Sequence, residues 1–249
     1  MLKIRHFAKP RTVTCWRERA TPEQYLRKYD LDIPMNERSI FWTGIIGVTL
    51  FSLASILGGF QFDNYNHLSQ YISETYAIDT PYGRVLRFFG YIPSGLFLTI
   101  FAFSAWRIFP RSSLIRTGFR GLGIFYGIAT IMVGIFPCDK GCNKELVDPS
   151  ISQLIHNLTG LLTYIFVPLS IIAIGIGLRQ LRIHFRLSVI AIFCGLNCIV
   201  FIGVLLTDPL AKYAGLYQRI IEGTFIIWII ACSVFIKNND RPGVRYIPN

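Results

Sequence analysis

Charge is scarce in this chain: 16% of its 249 residues are Asp, Glu, Lys or Arg, against 52% apolar. An ordinary soluble surface needs about a quarter charged, so this balance excludes a soluble globular domain. The familiar catalytic signatures are absent as well. No H-E-x-x-H, G-x-S-x-G, P-loop or G-x-G-x-x-G occurs in the sequence, which removes the zinc-protease, serine-hydrolase and nucleotide-binding readings that those patterns carry. No cleavable signal peptide is expected either. The first 39 residues carry many charges, where such a peptide needs a short basic start and then an apolar core. The first apolar segment is expected to act as its own uncleaved signal.

What is present is length without charge. The stretches Ile40–Phe62, Phe88–Trp106, Gly121–Pro137, Ile151–Leu178, Leu187–Thr207 and Tyr213–Ile236 approach or reach the ~20 residues that cross a ~30 Å hydrocarbon core as a helix. The expected fold is therefore an all-α polytopic membrane protein, a six-transmembrane-helix bundle made of three hairpins (40–106, 119–178 and 187–236). The net charge of +11 is distributed by topology. With the first helix starting in the cytoplasm, nineteen Lys and Arg fall on the cytoplasmic side and six on the outer side. Eight of the fourteen acids fall outside. This is the positive-inside asymmetry, and it predicts cytoplasmic termini. The basic charge serves orientation and attraction to anionic lipid heads, so membrane lipids are the expected partners and nucleic acid is not.

Three regions follow: a basic cytoplasmic leader (1–39), the six-helix domain (40–237) and a short cytoplasmic tail (238–249). In the leader, Thr21-Pro22-Glu23-Gln24 has the form of a helix start, with Thr21 as N-cap and Gln24 closing a capping box. A short helix on the inner leaflet is expected there. Of six cysteines, Cys138 and Cys142 share an outer loop where an oxidising compartment can join them as a disulfide; a pair of thiolates holding metal is the other reading. Cys194, Cys198 and Cys232 fall in apolar helices as small buried residues.

The polar residues that interrupt this pattern are candidates for chemistry. Between the first two spans, His67, Gln70, Tyr71 and Glu74 recur at helical spacing opposite Leu68, Ile72 and Tyr76, predicting a short amphipathic helix on the outer surface. Each outgoing span ends in an acid, Asp63, Asp139 or Asp208, against the helix dipole at about 0.3–1 kcal/mol each. Asp208-Pro209 can cap the following segment. Ser150-Ile151-Ser152-Gln153 predicts a capping box that starts the fourth span. At ~1.5 Å per residue, His156 then stands about 33 Å above the cytoplasmic end and Glu222 about 21 Å up the sixth span. Gln218, Arg219 and Glu222 interrupt that last span, and ionisable groups at such depth face a bundle interior or a wet cavity. The alternative is an Arg219–Glu222 pair at i, i+3 that neutralises itself.

These motifs carry a resemblance. Tyr65-Asn66-His67-Leu68-Ser69-Gln70-Tyr71-Ile72-Ser73-Glu74, Gly134-Ile135-Phe136-Pro137-Cys138-Asp139 with Cys142, Ile155-His156-Asn157-Leu158 and Gly215-Leu216-Tyr217-Gln218-Arg219-Ile220 resemble a family of prokaryotic six-span membrane proteins known as domain of unknown function 998, over about residues 40–237. The resemblance implies a prokaryotic inner-membrane protein and brings no activity with it.

The expected function is an outward-facing pocket that binds or hydrolyses a lipid head group or another amphiphile. His67, Glu74, Asp139, His156 and Glu222 are the catalytic candidates, and Ser69, Gln70, Gln218 and Arg219 the substrate-binding ones. Two histidines among carboxylates can hold a divalent metal, of identity unknown, that activates water. His67, Asp139, His156 and Glu222 are expected to converge. A proton-coupled transporter using Glu222 and a non-catalytic scaffold, packed on a membrane-protein partner or a second copy, are the alternatives.

Overall fold

The computed structural model describes residues 35–238. Residues 1–34 of the leader, with Cys15 and the helix start expected at Thr21, and the tail beyond Asn238 lie outside the described residues; the end of the leader already belongs to the first helix. Among the described residues, six helices are long and apolar enough to cross a membrane: α1 (Glu37–Gly59), α2 (Gly83–Ala105), α3 (Ser113–Ile135), α4 (Ile151–Gln180), α5 (Phe185–Thr207) and α6 (Ala214–Asn238). No strand occurs among the described residues. The chain is a multi-pass, all-helical membrane protein.

The helices outrun their apolar stretches. Gly83, Arg84 and Arg87 belong to α2, and Arg116 and Arg120 to the first turns of α3. Charge ended the apolar runs there without ending the helices, because Arg is a good helix former; Arg84, Arg116 and Arg120 are exposed, whereas Arg87 is buried and its Nε donates to the Gly83 carbonyl at 3.2 Å. Side-chain caps fix two starts: the Asn36 carboxamide accepts the Ser39 amide at 2.8 Å, and the Ser150 hydroxyl accepts the Gln153 amide at 3.1 Å.

Each helix packs on its neighbours in sequence, and α6 returns to pack on α1. The result is a closed ring. Small residues set the close approaches. Ser94 donates to the Gly47 carbonyl between α1 and α2, and Ser188 to the Gly175 carbonyl between α4 and α5, both at 2.8 Å. Between α5 and α6, the Asn197 amide donates to the Thr224 hydroxyl at 2.9 Å. One half of the ring is filled by Phe101, Phe119, Ile171, Ile174 and Trp228, all essentially inaccessible. Large side chains such as Phe193, Val200, Leu196 and Ile227 face outward, which is the surface that lipid requires.

The α1–α2, α3–α4 and α5–α6 connections gather at one end, here the cap end. Residues 64–71 do not form the amphipathic helix expected from His67 to Tyr76. Only a 3-10 turn, Ile72–Tyr76, is helical. Side chains take the amides that a helix would have used: Asn66 accepts the Leu68 amide at 2.9 Å, Gln70 accepts the Asn66 amide at 2.8 Å, and Glu74 accepts the Tyr71 amide at 2.8 Å. The intended polar face is thereby split, with His67 and Glu74 sent in different directions. The α5–α6 turn differs as well. Asp208 accepts the Leu210 amide at 3.1 Å, closing a turn of its own, and α6 starts only at Ala214.

Candidate functional site

The cap is fastened to the first turns of α6. Arg219 Nη1 donates to the carbonyls of His67 and Gln70 at 2.7 Å and of Gly215 at 2.9 Å, while Nη2 donates to the Tyr65 hydroxyl at 2.7 Å. The Ile72 amide donates to Gln218 at 2.6 Å, and the Leu216 amide to the Leu68 carbonyl at 2.9 Å. Gly215 is required here, because a Cβ would run into the Gln70 backbone. The Tyr71 hydroxyl donates to the Pro209 carbonyl at 2.6 Å. Burial, with Glu74 and Asp208 nearby, pushes that phenol up to about 12, so it stays a donor. Arg219 therefore spends its charge on carbonyls. It makes no ion pair with Glu222.

Beneath the cap lies a polar cavity of about 90 Å³, inside the ring. Ser73 and Tyr76 form its roof, Tyr126 and Thr130 come from α3, His156, Thr163 and Tyr164 from α4, and Gln218 and Glu222 from α6. There is room for a few waters. His156 Nδ1 lies 3.0 Å from the Phe136 carbonyl, which accepts its proton and leaves Nε2 with the lone pair. The hydroxyls of Tyr164 and Tyr126 face the Glu222 carboxyl, yet Glu222 Oε2 and the Tyr126 hydroxyl are buried with no hydrogen-bond partner closed. Glu222 also has no ion-pair partner among the described residues. Tyr126 sits within a π-helical turn, Gly123–Ile128, an irregularity often found where a helix aims a side chain at a site.

A second cavity, of about 300 Å³, runs between α1 and α6. Phe51, Ile56, Ile72 and Ile226 make it mostly apolar, His67 and Arg219 stand at its cap end, and Glu222 closes it from behind. Gly223 in this groove and Gly160 in the polar cavity have no atom within 4 Å of where a Cβ would be. At both places, a missing side chain is what leaves the space open.

The expected convergence is thus incomplete. His156, Gln218 and Glu222 share the inner cavity. His67 and Arg219 line the groove instead, so His67 and His156 do not meet in one cavity; Phe51, Ile72 and Glu222 line both spaces, and Glu222 is the ionisable group they share. Asp139 is in neither. It accepts the Ser150 amide at 2.9 Å and hydroxyl at 2.5 Å, completing the start of α4. These bonds hold its carboxyl below the usual carboxylate range. Gln153, expected to return to Ser150, instead accepts the Asp139 amide at 2.7 Å. Glu74 pairs with Lys144 at 2.7 Å and accepts from Gln70 at 3.2 Å; Ser69 lines neither space. The structure draws Cys138 and Cys142 together as a disulfide, with Cα atoms 4.8 Å apart.

Sequence reading missed Tyr76, Tyr126 and Tyr164. For Tyr126 and Tyr164 the available signal was a phenol in mid-span, whose hydroxyl must find a polar partner when buried; Tyr76, in the cap, gave no such signal. Chemically, the inner cavity offers a carboxyl, an imidazole, phenols and amides without a fixed cation. It can exchange protons and hydrogen-bond a small polar group.

Among known proteins, the family described as "Protein of unknown function (DUF998)" matches residues 45–234. No curated protein and no solved structure matches the chain.

Proposed function

The chain belongs to the DUF998 family, and from its two cavities we propose that it binds a membrane amphiphile in the groove between α1 and α6. The apolar walls take the chain of the ligand, and Arg219 and His67 take an anionic head. The observation that carries this reading is the groove itself: an apolar slot of about 300 Å³, within the usual size of a ligand site, with a cation at one end and the buried Glu222 behind it. Arg219 has five N–H donors, and its Nε is not among those fastening the cap.

The proposal includes orientation. The cap end faces the outside of a prokaryotic plasma membrane and the termini face the cytoplasm, as the nineteen-to-six division of Lys and Arg supports. On that side the Cys138–Cys142 disulfide forms in an oxidising compartment. Lipid is then the partner in the groove, and the outward apolar faces are open to a second copy or another membrane protein.

Native mass spectrometry of the full chain, released from phosphatidylcholine nanodiscs doped with phosphatidylglycerol, tests the binding. Wild type should retain phosphatidylglycerol, and Gly223→Leu, which fills the slot, should lower retention about tenfold or more with the melting temperature preserved. Equal retention by the two proteins would refute the groove as the site.

One observation favours a second reading, proton-coupled transport. Glu222 is the single ionisable group shared by both cavities, and one of its oxygens is unpartnered. Proteoliposomes with an imposed pH gradient discriminate: Glu222→Gln should then abolish coupled uptake while leaving the bound lipid in place.

A further inference from the structure

The loop between α3 and α4 brings a soft set of ligands into the protein interior. One ligand atom from each of Cys138, Cys142 and His156 lies within 4.8 Å of the other two, and all three residues are buried. The disulfide alone does not assemble this group. Gln153, fully buried, accepts the Asp139 amide at 2.7 Å and donates to the Cys142 carbonyl at 3.3 Å, gripping the loop beside both cysteines. It stands one helical turn before His156 on the same helix, so loop and imidazole share one support. The Cys142 amide also donates to the Asp139 carbonyl at 2.8 Å, and the Ile78 amide to the Cys138 carbonyl at 3.0 Å. These main-chain bonds remain when the sulfurs are reduced.

His156 is arranged as metal-binding histidines are. Its Nδ1 donates to the Phe136 carbonyl, which fixes the tautomer and frees Nε2, the usual outer-shell device of a metal site. Two thiolates and one imidazole are the protein ligands of open zinc sites, where a fourth position is left for water or a substrate. Thiolate ligands also select against calcium, magnesium and manganese.

We propose that in its dithiol form the protein binds one thiophilic d10 cation, represented by Zn²⁺, through Cys138 Sγ, Cys142 Sγ and His156 Nε2. Binding displaces the two thiol protons, and the neutral imidazole supplies its lone pair. The disulfide and the metal exclude each other, since oxidised sulfur offers no thiolate. This site is independent of the lipid groove: it uses neither His67, Arg219 nor Gly223.

The test uses the full chain in nanodiscs, reduced without oxygen by a water-soluble phosphine. The phosphine gives two electrons to the disulfide, takes an oxygen from water and leaves two thiols. After addition of Zn²⁺ and desalting, elemental analysis should find one equivalent in reduced wild type and none in oxidised wild type. Reduced protein loaded with Co²⁺ should show a thiolate-to-cobalt charge-transfer band in the near ultraviolet. His156→Ala should weaken retention at least about tenfold, and Cys138→Ser with Cys142→Ser should abolish it, although Cys15, Cys194, Cys198 and Cys232 remain. His67→Ala should bind as wild type does. A reduced wild type that retains no metal overturns the proposal, with no variant needed. Retention by the double serine variant overturns it too, and so does full retention by His156→Ala.

Discussion

The Arg219 guanidinium donates to the main-chain oxygen of His67 at 2.7 Å, across 152 residues of sequence. With the bonds to the Gln70 carbonyl and the Tyr65 hydroxyl, it holds the first loop over the bundle beside the Gln218 and Leu216 contacts. Charged hydrogen bonds contribute about 1.5–3 kcal/mol each when their partners are left buried, and several here share one side chain. Arg219→Ala should therefore destabilise the protein by about 2–4 kcal/mol, read as a lower melting temperature and faster proteolysis within residues 61–82. Arg219→Lys should recover only part of the loss, because an ammonium lacks the planar fork.

Three glycines of similar appearance should respond in opposite directions. Gly160 and Gly223 have no atom within 4 Å of a built Cβ, and both lie inside helices, where Gly costs about 0.5–1 kcal/mol relative to Ala. Gly160→Ala and Gly223→Ala should each raise the melting temperature. Gly215→Ala, which meets the Gln70 backbone, should lower it by the equivalent of about 1–3 kcal/mol. Thermal unfolding of the three variants side by side decides this.

Burial, and then the nearby Arg219 charge, lower the His67 pKa from 6.5. A depressed value means that stability is fully present above about pH 6.5 and declines as pH falls through the folded pKa. Protonation also places a second cation in the groove. Acidification below 6.5 should therefore tighten binding of phosphatidylglycerol while slightly destabilising the protein. His67→Gln should remove both trends in a lipid-titration series across that range.

Asp139 gives the other acid-side signal. Its hydrogen bonds from Ser150 hold its pKa below 3.8, so its contribution is complete above that value and disappears as pH falls further. Asp139→Asn should reduce the acid sensitivity of the melting temperature. At neutral pH it should cost about 0.5–2 kcal/mol, as other losses at helix starts do.

The spans were legible because a bilayer imposes length and apolarity on each one independently, and no tertiary information is needed to see Leu187–Thr207. Glu222 was legible for the same reason, as a charge where charge is expensive. The cap was not. Its His-x-x-Gln-Tyr-x-x-Glu spacing satisfies a helical wheel, but Asn66, Gln70 and Glu74 bind amides within four residues of themselves, and Arg219 and Gln218 finish the job from α6. Periodicity carries no trace of such partners. His67 and His156 were grouped because both lie near one membrane face; depth is a single coordinate, and their separation is an angular one around the ring. Gln153 went unrecognised as a clamp because a polar residue three after an N-cap serine already had a local explanation.

The closure of α6 on α1 has a consequence for how the protein is made. A chain inserted span by span from its amino end exposes residues 61–82 early, while Arg219, Gln218 and Gly215 come with the last helix. Until then the lid has nothing to latch to, and the first helix presents its flank to lipid or to an insertase. Insertion of the sixth span is the step that completes the molecule. A transcript stopped after α5 would yield five well-formed helices around an unsealed core, which is the kind of product membrane quality-control proteases recognise.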